Sequence, residues 1–211
     1  MNEERAVLDF FAQSENLPLG LSVAEQMDQI REQLNTRFWS DLQKILASLI
    51  DKHALPWQIA ATEDRDVADS LVGLYFPLRT EQAVYLRPML EQQHLGGSWR
   101  IYFGLMWSAT PTPDQLALPE VVTLKQSLQE IGFKNNENFL AWQWTKLHPR
   151  RRDFLSSYTQ QPEKLLGDLE ALLKILLIDQ HDLIIKANAA LQIVPRSMTI
   201  SLDQLRSKRH S

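Results

Sequence analysis

Apolar residues along this chain follow two periods, and the switch between them separates helical ends from a strand-rich middle. The run 99–108 puts Trp99, Ile101, Phe103, Leu105 and Trp107 on one face and Arg100, Tyr102, Gly104, Met106 and Ser108 on the other. Most of the second set can also be buried, which predicts a central strand covered on both sides. Gly96-Gly97 supplies the positive φ angles of a tight hairpin and makes 83–93 the antiparallel partner. Residues 71–78 read as a further strand and 57–60 as a short edge strand. The short run 139–144, with Leu140, Trp142 and Trp144 on one face, reads as another, with a helix as its alternative.

Helical spacing governs the rest. Residues 4–13 carry Val7, Leu8, Phe10 and Phe11 on a stripe, and Leu17-Pro18-Leu19-Gly20 is expected to break it. Ser22 with Glu25 forms a capping box for a helix to Asp51, whose apolar positions include Val23, Met27, Ile30, Leu34, Phe38, Leu42, Ile45 and Leu49. Such a helix is about 45 Å long and needs something long to lie against. Pro111 and Pro113 predict an extended linker over 109–114. Pro119 opens the next helix and Gly132 stops it, a polar turn follows at 135–138, and a short helix covers 153–158. From Pro162 a second long helix carries Leu165, Leu166, Leu169, Leu172, Leu173, Leu176 and Leu177 and continues through Ile184 and Leu191 towards Pro195. The class expected is α+β: a small antiparallel sheet of three to five strands packed against two long helices, near-antiparallel to each other, and shorter helices. Residues 1–196 are expected to form one such domain with an N-terminal helical extension. Residues 197–211, with Met198, Ile200 and Leu202 before the basic end Arg206-Ser207-Lys208-Arg209-His210-Ser211, are expected to be a mobile tail.

Composition narrows the chemistry. With 211 residues one substantial core is possible, and the absence of cysteine removes disulfides, thiolate catalysis and Cys-ligated zinc. The opening Met-Asn-Glu-Glu-Arg does not read as a secretory signal and no apolar run is long enough for a membrane span, so a cytoplasmic protein is expected. A net charge of −4 argues against nucleic-acid binding over the whole surface while leaving room for a local basic patch.

Catalytic signatures are missing. His53, His94, His148, His181 and His210 show no metal-ligand spacing, and no phosphate-binding glycine loop or nucleophile elbow occurs. Glu63, Asp64, Asp66 and Asp69 lack the glycine and closing glutamate of a calcium loop and read as a solvated turn. Neither central strand carries a carboxylate at its middle or a Glu-x-Lys. No catalytic residue, metal or cofactor is assigned.

Several words along the chain bear a likeness to a known group: Arg37-Phe38-Trp39-Ser40-Asp41-Leu42, Trp99-Arg100-Ile101-Tyr102-Phe103-Gly104-Leu105, Gln129-Glu130-Ile131-Gly132-Phe133 and Phe139-Leu140-Ala141-Trp142-Gln143-Trp144. Together with the closing long helix, over residues 24–191, they resemble the C-terminal region of bacterial and phage proteins built on the PD-(D/E)XK nuclease fold. The resemblance implies an accessory or recognition module related to defence nucleases, without the acidic triad that cuts.

One segment is chemically uneven. Trp142 and Trp144 are followed by Lys146, His148, Arg150, Arg151 and Arg152 on an otherwise acidic chain. Indoles stack bases and guanidinium groups meet phosphates. Alternatively the tryptophans close the core while the arginines pair with acidic neighbours at a helix start. The function expected is therefore a non-enzymatic binding or regulatory protein acting through protein contacts, such as an inhibitor, an antitoxin or immunity-like factor, or a phage-defence component. Its alternative is a nucleic-acid-binding accessory module of a nuclease system. Partners expected are another protein or a nucleic acid, without a membrane, and a homodimer is expected from Phe38 and Trp39 on the long helix.

Overall fold

A computed structural model describes residues 3–62, 72–79, 84–93 and 99–191. The acidic turn at 63–69, the Gly96-Gly97 hairpin and the tail 197–211 lie outside these residues. The chain divides into two compact units, Met1–Ser40 and Asp41–Ser211, with the division falling inside one helix.

In the first unit, α1 (Glu3–Phe11) leads through a short turn into α2 (Leu17–Lys52). The long helix thus starts five residues before the expected Ser22 cap. Pro18 sits in its first turn, where a backbone N–H has no helical partner, so the ring costs nothing there. Gly20 does not break the helix either: a Cβ there would lie 3.0 Å from the Phe11 ring, so the missing side chain makes room for that ring. The break falls instead at 12–16, where the Asn16 side chain donates to the Phe10 carbonyl.

The second unit is built on a five-stranded antiparallel sheet in the order β1-β2-β3-β4-β5: β1 (Ala60–Thr62), β2 (Val72–Tyr75), β3 (Leu86–Gln93), β4 (Arg100–Trp107) and β5 (Phe139–Trp144). An α+β class with a small antiparallel meander is what the patterning expects. Residues 57–59 precede β1, and Trp57 makes an isolated bridge to Leu78. Pro88 lies within the central strand β3, yet its missing donor disrupts nothing. Its carbonyl accepts from Phe76 N, so its nitrogen faces the β2 side beyond the end of that strand.

Two helical expectations are corrected. The segment after β4 is not wholly extended: α3 (Pro113–Leu116) forms because Pro113 stands at the start of a helix capped by Thr112, whose hydroxyl accepts from Gln115 N while the Gln115 side chain accepts from Thr112 N. The terminal helix is also not continuous. It runs as α6 (Pro162–Lys174), a π-helical turn (Ile175–Asp179) and α7 (His181–Leu191). Between them α4 (Pro119–Glu130) and α5 (Arg152–Gln160) follow the expected pattern, and Gly132, at φ 90°, ends the α4 segment as a left-handed stop. Among the described residues α7 packs mainly on α4, and the two long helices are not packed along each other as expected. In α2, Leu42, Leu46, Leu49 and Ile50 are buried. The Tyr158 hydroxyl donates to Asp41 Oδ2 at 2.9 Å, tying α5 to the same helix.

Candidate nucleic-acid interface

Period two gives the sheet two unlike faces. Leu74, Leu90, Ile101, Phe103 and Leu105 lie on one, where the Phe103 ring meets Phe133 after α4 at 5.3 Å. The registers Tyr75–Met89–Gly104–Trp142 and Gly73–Glu91–Tyr102–Trp144 define the other. That face is aromatic and polar at once. Tyr102, 8 % exposed, is surrounded edge to face by Phe139 at 5.8 Å, Trp142 at 6.3 Å and Trp144 at 5.3 Å.

Glu91 sits in the middle of this face and is fully buried. The local sequence does not mark it, because a single glutamate near a strand end is ordinarily solvated. Its carboxyl group is held by two tyrosines: Tyr75 Oη donates to Oε1 and Tyr102 Oη donates to Oε2. A buried carboxyl group without such partners would be strongly unfavourable. Among the described residues no group of three or more His, Cys, Asp or Glu could hold a metal ion.

Glycine sets how closely the aromatic strand approaches. A Cβ on Gly104 would stand 2.3 Å from the Ala141 carbonyl oxygen and 2.8 Å from Trp142 Cα, so only glycine lets β5 lie where it does.

Beyond β5 the chain turns around the start of β4. Thr145 N and Thr145 Oγ1 both donate to the Ile101 carbonyl, and Ile101 N donates to the Leu147 carbonyl. These bonds bring the basic segment beside Arg100, a residue 44 positions from Trp144 that no local pattern links to it. The Arg100 guanidinium lies over the Trp144 ring at 4.1 Å, and that of Arg150 lies over Trp99 at 4.8 Å. On the same face Lys134 Nζ stands 6.0 Å from the Trp142 ring centre. The Trp142 Nε1 and Arg100 Nε atoms are buried without a hydrogen-bond partner among the described residues.

The sequence candidates therefore separate. Trp142 and Trp144 are half-buried, packed on Tyr102 and on each other at 5.6 Å. His148 and Arg150 are also half-buried, whereas Lys146, Arg151 and Arg152 are exposed. Among the described residues Arg100, Lys146, Arg151 and Arg152 form no ion pair, so Arg151 and Arg152 do not pair with acidic neighbours at the start of α5, while Arg31, Lys44 and Lys174 do form ion pairs. Burial, followed by the charges of Arg151 and Arg100, holds the His148 imidazole below its ordinary pKa, with Asp153 pulling the other way. Among the described residues no helix is long and apolar enough to cross a membrane.

No protein-family model, no curated protein and no solved structure matches this chain.

Proposed function

We propose that this chain is a non-enzymatic binding protein whose ligand is single-stranded nucleic acid, taken up at the Trp–Arg end of the sheet. The observation that carries this reading is that the exposed Lys146, Arg151 and Arg152, and Arg100 over the Trp144 ring, form no ion pair among the described residues. The charges of Arg151 and Arg100 both act on His148, and like charges brought together carry a cost that an anionic ligand removes. Bases stack on guanidinium planes as they do on aromatic rings, and Arg100 and Arg150 present such planes backed by indoles. Paired bases are not free to stack in this way, which favours single strands over duplex.

Fluorescence anisotropy with labelled single-stranded and duplex oligonucleotides tests the reading. Single strands should bind more tightly, and affinity should fall with salt with a slope near −3 if about four phosphates are contacted at roughly −0.7 each. Arg151→Glu with Arg152→Glu should abolish binding and leave the melting temperature unchanged, since exposed charges contribute about 1 kcal/mol or less. No binding by the wild type at low salt overturns the proposal. A protein-contact function has its own supporting observation in the N-terminal helices, whose apolar side chains face water.

A further inference from the structure

The first unit holds its apolar residues outward. In α1 Val7, Leu8 and Phe10 are 54, 70 and 49 % exposed, and Leu17, Leu19, Leu21, Val23 and Ile30 of α2 are exposed as well. A helix of nine residues is marginal in water on its own propensity, and most helical stability comes from burying an apolar stripe. This stripe calls for a partner.

Charge says which partner. Residues 3–28 hold Glu3, Glu4, Asp9, Glu15, Glu25 and Asp28 against the single cation Arg5. Asp28 is engaged by Arg31 at 2.9 Å, while Asp9, Glu15 and Glu25 are exposed and form no ion pair among the described residues. The segment is thus apolar and acidic together. The end of the sheet described above has the complementary pairing, half-buried Trp142 and Trp144 in one segment with Lys146, Arg151 and Arg152, which with Arg100 form no ion pair among the described residues. One surface offers Phe10 and Leu8 with carboxylates, the other indoles with guanidinium groups.

We propose that the acidic N-terminal helical segment of one copy docks on the Trp–Arg end of the sheet of a second copy, and reciprocally, to give a two-fold dimer. Reciprocal exchange uses each surface once per chain and closes, whereas a one-way contact of the same kind would propagate into a filament. The dimer contact and the nucleic acid then compete for one set of cations, so the free protein masks its own binding surface. The dimer itself does not depend on the nucleic-acid reading; only the competition does.

Charge exchange in the full chain tests the dimer. One variant carries Arg151→Glu with Arg152→Glu, the other Asp9→Lys with Glu15→Lys. Light scattering should give a dimer for the wild type at low salt that loosens as salt rises, since exposed charge pairs are screened. Each variant alone should be a monomer, because acid then faces acid or base faces base. Mixed, they should form a heterodimer in which both contacts are again complementary. A wild type that stays monomeric at every concentration overturns the proposal, and so do variants that still dimerise alone or fail to pair when mixed. Wild-type-like circular dichroism spectra and cooperative melts confirm that both variants are folded, and Lys146→Glu with Arg152→Glu replaces the first pair if that variant is not. The Asp9→Lys, Glu15→Lys variant should bind oligonucleotide at least as well as the wild type. A dimer without oligonucleotide binding would retain this inference and reject the nucleic-acid function.

Discussion

The Asn188 side chain completes the backbone hydrogen bonding of Leu86: its Oδ1 accepts from Leu86 N at 2.6 Å and its Nδ2 donates to the Leu86 carbonyl at 2.9 Å. Leu86 lies two residues from Pro88 and faces the same side, toward the position that β2 would occupy if it were longer. An amide from α7 thus takes the place of the next strand residue, and this bond pair fastens the helix to the sheet.

Asn188→Ala should therefore leave a buried N–H and a buried carbonyl unpaired, at a cost of about 2–5 kcal/mol. In a chain of this size that lowers the melting temperature by roughly 5–15 °C. A melt within about 2 °C of the wild type would show that other groups or water satisfy Leu86.

The Glu91 carboxyl group tests the polar centre of the sheet in another way. Glu91→Ala strands the hydroxyls of Tyr75 and Tyr102 and should lose roughly 2–6 kcal/mol, counting about 1–3 for each orphaned group. Replacing all three by apolar residues, Glu91→Leu with Tyr75→Phe and Tyr102→Phe, should regain much of that loss, because a buried polar set is costly when half-satisfied rather than when absent. If the triple variant melts no higher than Glu91→Ala, the cluster contributes through its packing and not its hydrogen bonds.

Period two made the sheet legible, down to the faces of 99–108 and the bounds of β5. Gly132 and Pro119 marked their helix ends because each acts locally through backbone geometry. Pro18 and Gly20 misled because proline in a first helical turn and glycine under an aromatic ring look like breakers until the turn and Phe11 are in place. The candidate site was legible in part. Trp142, Trp144 and the cations after them are adjacent in sequence, but Arg100 joins them only through the register that sets Tyr102 against Trp144, and Glu91 only through two tyrosines on neighbouring strands. Long-range pairing leaves no local signature.

Gly104→Ala probes the seat of the tryptophan strand. The atoms its Cβ would meet belong to the backbone of Ala141 and Trp142, which cannot rotate aside, so β5 must shift. A loss at the upper end of the roughly 1–3 kcal/mol usual for overpacking is expected, with a change in tryptophan emission as Trp142 and Trp144 move off Tyr102. Unaltered emission and an unaltered melt would mean that the sheet yields without moving the site.

His148 makes the site sensitive to pH. Its pKa lies below the ordinary value of 6.5, chiefly through burial and then through Arg151 and Arg100, against the pull of Asp153. As pH falls the unfolded chain takes up this proton first, so the stability that His148 contributes is fully present above 6.5 and is lost as pH falls through its folded pKa. Ligand binding carries the opposite sign. A phosphate placed among Arg100, Arg151 and His148 offsets the two guanidinium charges and favours the imidazolium, so binding takes up a proton. Oligonucleotide affinity should rise as pH drops from about 7.5 to about 5.5, by no more than about tenfold per pH unit for one linked proton. Anisotropy titrations across that range, repeated with His148→Gln, check the assignment: the variant should bind with a flatter profile. A wild-type profile already as flat as that of the variant would place the anion away from His148.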